Sequence, residues 1–462
     1  MTTNTTPKKS LPPIIYLGTL LLLFAGFSLG RQYIGNPLAS DTVHSTHLDD
    51  RLSHGSHAFF PEDGTWDKSQ AIASYASSDF STAQGLFDRS LKQKPNDPES
   101  VIYRNNAKAY WSKPLSIAVS IPISSDANGS REILRGVAQA QTEINASGGI
   151  NGSPLFVNIV NDDNDVKIAQ QVAHTLVDRQ DILGVVGHYA SNITLATADI
   201  YHKGKLVAIS PISSTVNLSY KSPYIFRTVP SDSISARALT DYMLQTLKSK
   251  KAVVYFNAQS DYSKSLTGEL HNAIEQAGGQ VVTEYDLANS SFSPHRSLEE
   301  AKQRGAEVIL LASNTGSLDR ALQVVQANNN PLPVLGGDDV YSPKTLDVTR
   351  ASGQGMVVAV PWHILGRGSQ NFATRSRKLW GGDVNWRTVT AYDATQALSA
   401  ALQQSPTRKG VQQALTSPSF TVAGASRTIS FLPSGDRNVP VQLVKIVAGD
   451  RSTYGYDFTP IP

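Results

Sequence analysis

The chain has no cysteine in its 462 residues. That excludes disulfides, iron–sulfur clusters, thiolate zinc sites, a cysteine nucleophile and a lipid-modified cysteine anchor. It also has little net charge. Its 41 Lys and Arg stand against 38 Asp and Glu, a balance of +3, too even for the basic footprint of a nucleic-acid binder. Catalytic motifs are missing too: there is no G-x-S-x-G, H-E-x-x-H, Walker loop or G-x-G-x-x-G after a strand. No carboxylate pair falls where it would flank a scissile bond. These absences point to a binding protein without a cofactor rather than an enzyme. Gly and Pro are present in ordinary numbers, which excludes collagen-like and low-complexity classes. The length, with 40% hydrophobic residues, fits two or three domains with large cores.

Lys8 and Lys9 precede an uncharged apolar run over residues 11–29, closed by Arg31. Roughly 17–25 apolar residues span a bilayer, and lysines ahead of the run favour a cytoplasmic amino terminus. Residues 1–30 therefore read as a signal peptide or an uncleaved signal anchor. The length of the run and the lack of an A-x-A site favour the anchor. Either reading puts the rest of the chain on the periplasmic or extracellular side, anchored in the inner membrane in the second case. Residues 31–65 read as a linker. His44, His47, His54 and His57 lie in it without metal-ligand spacing, so no metal is expected.

Helical spacing begins at Trp66. Ala83, Phe87, Ser90 and Leu91 fall on one helix face. Pro95 and Asn96-Asp97-Pro98 end that helix, with further helical patterns before Ser77 and after Pro98. Phe80, Ala83, Phe87, Ser90 and Pro95 give residues 66–112 a resemblance to a tetratricopeptide repeat. The resemblance covers one repeat and part of another. It implies that the module packs on the next domain or on a protein partner; an unrelated helical hairpin is the alternative.

From Leu115 the pattern alternates. Apolar β-rich runs at 115–123, 155–160, 182–186, 206–209, 252–256, 280–285, 308–311, 334–335 and 356–360 are separated by amphipathic stretches. This predicts an α/β protein with two parallel, doubly wound sheets; a (βα)8 barrel is the alternative. Ligands bind beyond the carboxyl ends of such strands. There the sequence places Tyr189-Ala190-Ser191, Ser210-Pro211-Ile212-Ser213-Ser214-Thr215, Asn257 to Tyr262, and Gly337-Asp338-Asp339. Ser191, as cap of a helix starting near Asn192, would receive a carboxylate. Asp338 would receive an ammonium, and Tyr262 would cover the ligand from the other sheet. Asp339 reads as a rim charge and His188 as a satisfied loop histidine. An α-amino acid carries both charges on adjacent atoms.

The stretch from Leu115 to Phe458 resembles the leucine/isoleucine/valine-binding family of periplasmic solute-binding proteins. The likeness rests on Gly148-Gly149-Ile150-Asn151-Gly152, Asn161-Asp162-Asp163, Gly187 to Ser191, Ala198-Asp199-Ile200-Tyr201, Ser210-Pro211, Phe226-Arg227-Thr228, Asp261-Tyr262, Gly336-Gly337-Asp338 and Ala391-Tyr392-Asp393-Ala394. It implies a type I periplasmic binding protein: two Rossmann-like lobes joined by three crossovers, here preceded by a membrane helix and a short α-helical module. The lobes would comprise residues 115–235 with 363–430, and 236–362 with 431–458. It further implies closure on an amino acid, branched-chain or related, or a small amide, with delivery to an ABC permease. The ligand set carried over is Ser191, the carbonyl of Ile212, Ser214, Tyr262 and Asp338, with Tyr189 and Ala190 beside Ser191. Four positions depart from the family pattern: Ser214 stands for threonine, Asp338 for glutamate, and Tyr189 for a smaller apolar residue, while Trp386 or Arg387 lies at an aromatic wall. Asn314 or Thr315 lies near another family tyrosine. Two alternatives in function are a ligand-sensing ectodomain that signals through a protein partner, and an assembly protein whose cleft has lost its ligand.

The amino-terminal reading is tested by mass spectrometry of the mature protein. An anchor leaves residues 11–29 in place, in the membrane fraction; an amino terminus beyond Gly30 would instead mark a cleaved, released protein.

Overall fold

Parallel strands need crossover connections, and helices fill that role here. The structure, a computed structural model, describes residues 1–2 and 48–461. The apolar run at 11–29, residues 31–47 of the expected linker, His44 and His47 all lie outside the described residues. Among the described residues no helix is long and apolar enough to cross a membrane.

The first sheet takes its strands in the order β1-β3-β2-β4-β5-β6. These are β1 (Leu52–Ser53), β2 (Leu115–Ile121), β3 (Leu155–Asn161), β4 (Ile182–Val186), β5 (Ala208–Ser210) and β6 (Ile225–Arg227). The strands β2 to β6 run parallel. Both β2 and β3 bury both faces, as continuous apolar runs in a doubly covered sheet must. The second sheet contains β7 (Lys251–Phe256), β8 (Gln280–Asp286), β9 (Val308–Ala312), β10 (Val334–Gly336) and β11 (Val357–Val360). After a small hairpin of β12 (Val422–Ala423) and β13 (Thr428–Ile429), β14 (Gln442–Ala448) and β15 (Tyr456–Pro460) join it. Its order is β15-β14-β11-β10-β9-β7-β8, with β14 and β15 antiparallel.

Two open sheets, not a closed barrel, thus form the body. The chain passes between them at residues 228–231, 361–369 and 430–441, and helix Trp386–Gln404 returns to pack along helix Ala127–Ala146 of the first lobe. The apolar runs of the sequence do not include β1, β6 or β12 to β15, because only continuous apolar runs mark a strand there. β6 has three residues, and β14 buries its residues in alternation because one face is covered and the other meets solvent.

Residues 66–112 form three helices, Trp66–Ala76, Phe80–Gln93 and Pro98–Ala109, started by the caps Thr65, Asp79 and Asp97. They do not stand apart. Helix Pro98–Ala109 is almost wholly buried, packed on helix Ala127–Ala146 and on β3. Asn106 completes the β3 edge: its amide donates to the Val157 carbonyl at 2.8 Å and its oxygen accepts from Val157 N–H at 3.1 Å. The linker expectation also fails over its described part. β1 pairs antiparallel with β3, and Arg131 binds Glu62 and Asp63. An exposed strand edge templates unwanted pairing, and this segment covers it. Of the two packings expected, on the next domain or on a protein partner, these helices take the first.

A buried charge cluster holds this layer together. Lys68, 1% exposed, pairs with Asp97 at 2.9 Å and Glu99 at 2.8 Å and donates to the Phe60 carbonyl. Glu99 also accepts from Phe59 N–H and Tyr103 Oη.

Breaking a buried pair leaves an uncompensated charge, so Lys68→Met should cost about 3–5 kcal/mol in urea unfolding. Asn106→Ala should cost about 1–3 kcal/mol, because it strands the buried groups of Val157 and Gln141. Deletion of residues 48–112 should likewise destabilise the first lobe; an unchanged melting temperature would make the layer an independent module after all.

Candidate functional site

In each sheet the strand order reverses once beside the first strand. In the first sheet this happens between β2 and β4, and in the second between β7 and β9. Such switch points leave a crevice at the strands' carboxyl ends. The two crevices meet in one cleft of about 330 Å³, lined by the loops after β2, β3, β4 and β5 from one lobe and after β7, β9 and β10 from the other.

Of the expected residues, Tyr189, Ala190, Ser191, Ile212, Tyr262 and Asp338 all line this cleft. Ser214 does not. It is buried behind the wall, its carbonyl accepting from Arg227 Nη1 at 2.6 Å and from Asp232 N–H at 2.9 Å. Its place near the cleft could not be refined by counting from Ser210-Pro211, because the loop turns inward to satisfy Arg227.

Ser191 differs in detail from the expectation. Helix Ser191–Gly204 begins at Ser191 itself, and Ala190 occupies the cap position without a side-chain bond. The first N–H groups of a helix lack intrahelical acceptors, so this end is open to an anion. Ser191 Oγ is buried and has no partner. Beneath it His188 is tied down, Nδ1 to Asp162 at 2.7 Å and Nε2 to Tyr201 Oη at 2.8 Å. It supports the loop and does not face the cleft.

On the opposite lobe Tyr262 donates to Asp338 Oδ1 at 2.8 Å. Gly337 permits this approach, since a Cβ there would overlap the tyrosine hydroxyl and Leu266. Asp338 forms no ion pair among the described residues. Burial, with the neighbouring Asp339 carboxylate, pushes it up to about 7.

Asp339 is not the solvated rim charge that the sequence suggested. It is half-buried and pairs across the cleft with Arg387 Nη2 at 2.7 Å, while its other oxygen accepts from Thr315 N–H at 3.1 Å. Arg387 lies on helix Trp386–Gln404, stacks over Trp386 at 4.3 Å and donates to Tyr189 Oη at 3.2 Å. Tyr189 in turn donates to Asp126 at 2.9 Å. Burial opposes the charge on Arg387, but Tyr189 and Asp339 outweigh it and hold the guanidinium protonated. Trp386 Nε1 is a second unpartnered polar atom of a cleft-lining residue.

Sequence reading missed Ser125, Asp126 and Asn164, which also line the cleft, and did not single out Gln259 within the strand end Asn257 to Tyr262. The available signal for Asp126 was the end of the first α/β strand, a position not read as a site. Among the described residues no cluster suits a metal ion.

Residues 114–451 match a family model described as periplasmic binding protein. An amino acid binding protein of Pseudomonas aeruginosa is 28% identical over 176 residues, 38% of this chain. The chain spans about half of that relative's length, 47%. A leucine-specific-binding protein of Salmonella typhimurium is 24% identical over 279 residues, covering 58% of this chain and 73% of that one. Among solved structures, an ABC transporter substrate-binding protein of Desulfitobacterium hafniense in complex with Leu superposes with a TM-score of 0.65. It is 22% identical and covers 75% of this chain and all of its own. Two lobes around a shared cleft, with a family match over most of the chain, place this protein in the periplasmic binding protein family, of the leucine/isoleucine/valine-binding, type I kind.

Proposed function

We propose that this protein is an extracytoplasmic receptor that closes its two lobes on a small α-amino acid or amide and delivers it to an ABC permease. One observation carries the reading. An uncapped helix end with the unpartnered Ser191 hydroxyl faces, across one cleft, the buried Asp338 carboxyl, which has no cation of its own. The first suits a carboxylate and the second an ammonium. The names of the relatives support amino acid binding and the transporter partnership. The uncharged run at residues 11–29 supports tethering to the inner membrane.

The remaining wall favours a polar side chain over a branched apolar one. Asp126, Asn164, Gln259, Asn314 and Thr315 line it together with Arg387's partners Tyr189 and Asp339. A leucine side chain there would desolvate these groups and give them no hydrogen bonds, a cost of about 1–3 kcal/mol per unmatched group. Asp126 and Asp339 disfavour an acidic side chain. The class that fits is a neutral hydrogen-bonding one, such as a carboxamide or hydroxyl.

Calorimetry on the full chain with all amino acids, small amides and urea tests this. At least one polar member should bind saturably and more tightly than leucine; absence of heat from every compound would overturn the reading, and leucine as tightest ligand would overturn the side-chain class. Asp338→Asn should weaken binding by about 2–5 kcal/mol, because the ligand ammonium loses its counter-charge in a desolvated site. The pH dependence has a definite sign. An ammonium needs the ionised carboxylate, so affinity should be full above pH 7 and fall as pH drops below it, by up to about tenfold per unit for one proton. Equal affinity at pH 5 and pH 8 would remove Asp338 from the ammonium site.

A further inference from the structure

The three passages between the lobes converge on a second, smaller cavity of about 40 Å³. Thr228 and Pro230 reach it from the first passage, Trp362 from the second and Arg437 from the third. It lies apart from the ligand cleft and shares none of its lining.

Two buried donors there have no acceptor, Nε1 of Trp362 and Nε of Arg437. The two residues are 6% and 5% exposed, so bulk water does not satisfy them. Arg437 Nη1 donates to the Asp393 carboxylate and to the Thr228 carbonyl. The surroundings are positive. Arg367 and Arg427 also line the cavity, both are exposed, and neither forms an ion pair among the described residues. Three guanidiniums thus line the cavity beside one carboxylate, Asp393, which pairs with Arg437 alone. Burial and the charge of Arg451 pull His363 down to about 4, so it adds no charge at neutral pH. A single water needs roughly 10–15 Å³, so the space exceeds one water, and water would leave the excess positive charge uncompensated.

We propose that this hinge cavity binds a small inorganic oxyanion, such as sulfate or phosphate. Trp362 and Arg437 supply the inner donors, and Arg367 and Arg427 close the mouth with charge-assisted bonds. Because the donors come from separate passages, the anion holds them in one arrangement. A ligand that prefers one arrangement shifts the population toward it, so occupancy of the hinge is linked to the opening of the cleft.

The test is calorimetric titration of sodium sulfate, and separately of sodium phosphate, into the full chain at constant ionic strength. The expected result is one saturable site per chain. The double variant Arg367→Gln/Arg427→Gln, altered only at exposed side chains, should lose at least tenfold in affinity. Trp362→Phe, which keeps a ring and removes the donor, should lose severalfold. Ser191→Ala should bind the anion as the parent does. Absence of saturable binding overturns the proposal, as does binding that survives both hinge variants. Loss of binding in Ser191→Ala would move the anion to the ligand cleft and overturn it equally. Circular dichroism melting without added anion verifies that the variants are folded, and none of these outcomes depends on which amino acid the cleft takes.

Discussion

Arg387 reaches from the first lobe to the Asp339 carboxylate of the second, and the charge balance of the cleft follows from that contact. Asp338 and Asp339 are adjacent, both withdrawn from water, and one guanidinium stands near them. Asp339 takes it. Asp338 is left with only the Tyr262 hydroxyl, and burial beside Asp339 makes its carboxyl hard to ionise. The same guanidinium fixes Tyr189, which fixes against Asp126. This ion pair therefore joins the lobes, shapes the side-chain wall and leaves Asp338 without a cation among the described residues.

The fold makes such a site possible by repeating one device. A parallel sheet wound in both directions from its first strand has loops that diverge at the switch point. Two such sheets, linked by three passages, bring two switch points face to face. Ser191 belongs to one lobe and Asp338 to the other, so in the proposed reading a zwitterion satisfies both only when it bridges them. The amino-terminal layer serves this arrangement from behind: β1 and Asn106 complete the edge of β3, and the Lys68 cluster fastens the helices that carry them.

Much of this was legible in the sequence. Continuous apolar runs such as 115–121 and 182–186, separated by amphipathic stretches, can only be buried strands between helices, and the runs end where the cleft begins. Gly-His-Tyr-Ala-Ser and Gly-Gly-Asp-Asp therefore marked the two ligand-facing loops, and Ser191, Tyr262 and Asp338 lie on the cleft together. Edge and antiparallel strands were harder. In β14 only alternate residues are buried, so its composition resembles that of a loop.

What only the tertiary structure decided concerns partners distant in the chain. Asp339 looks like a turn residue until Arg387, 48 positions later, is laid against it. Ser214 sits in sequence among the cleft-loop hydroxyls, yet its carbonyl accepts from Arg227 and from Asp232 N–H, and the residue is not part of the cleft lining. Residues 66–112 could pack on the next domain or on another protein until helix Pro98–Ala109 is seen buried on helix Ala127–Ala146. Local pattern fixes which face of a strand or helix is apolar, because periodicity follows from backbone geometry. It does not fix which charge meets which, because that depends on how separate elements pack, and a buried charge takes its character from the neighbour it finds there.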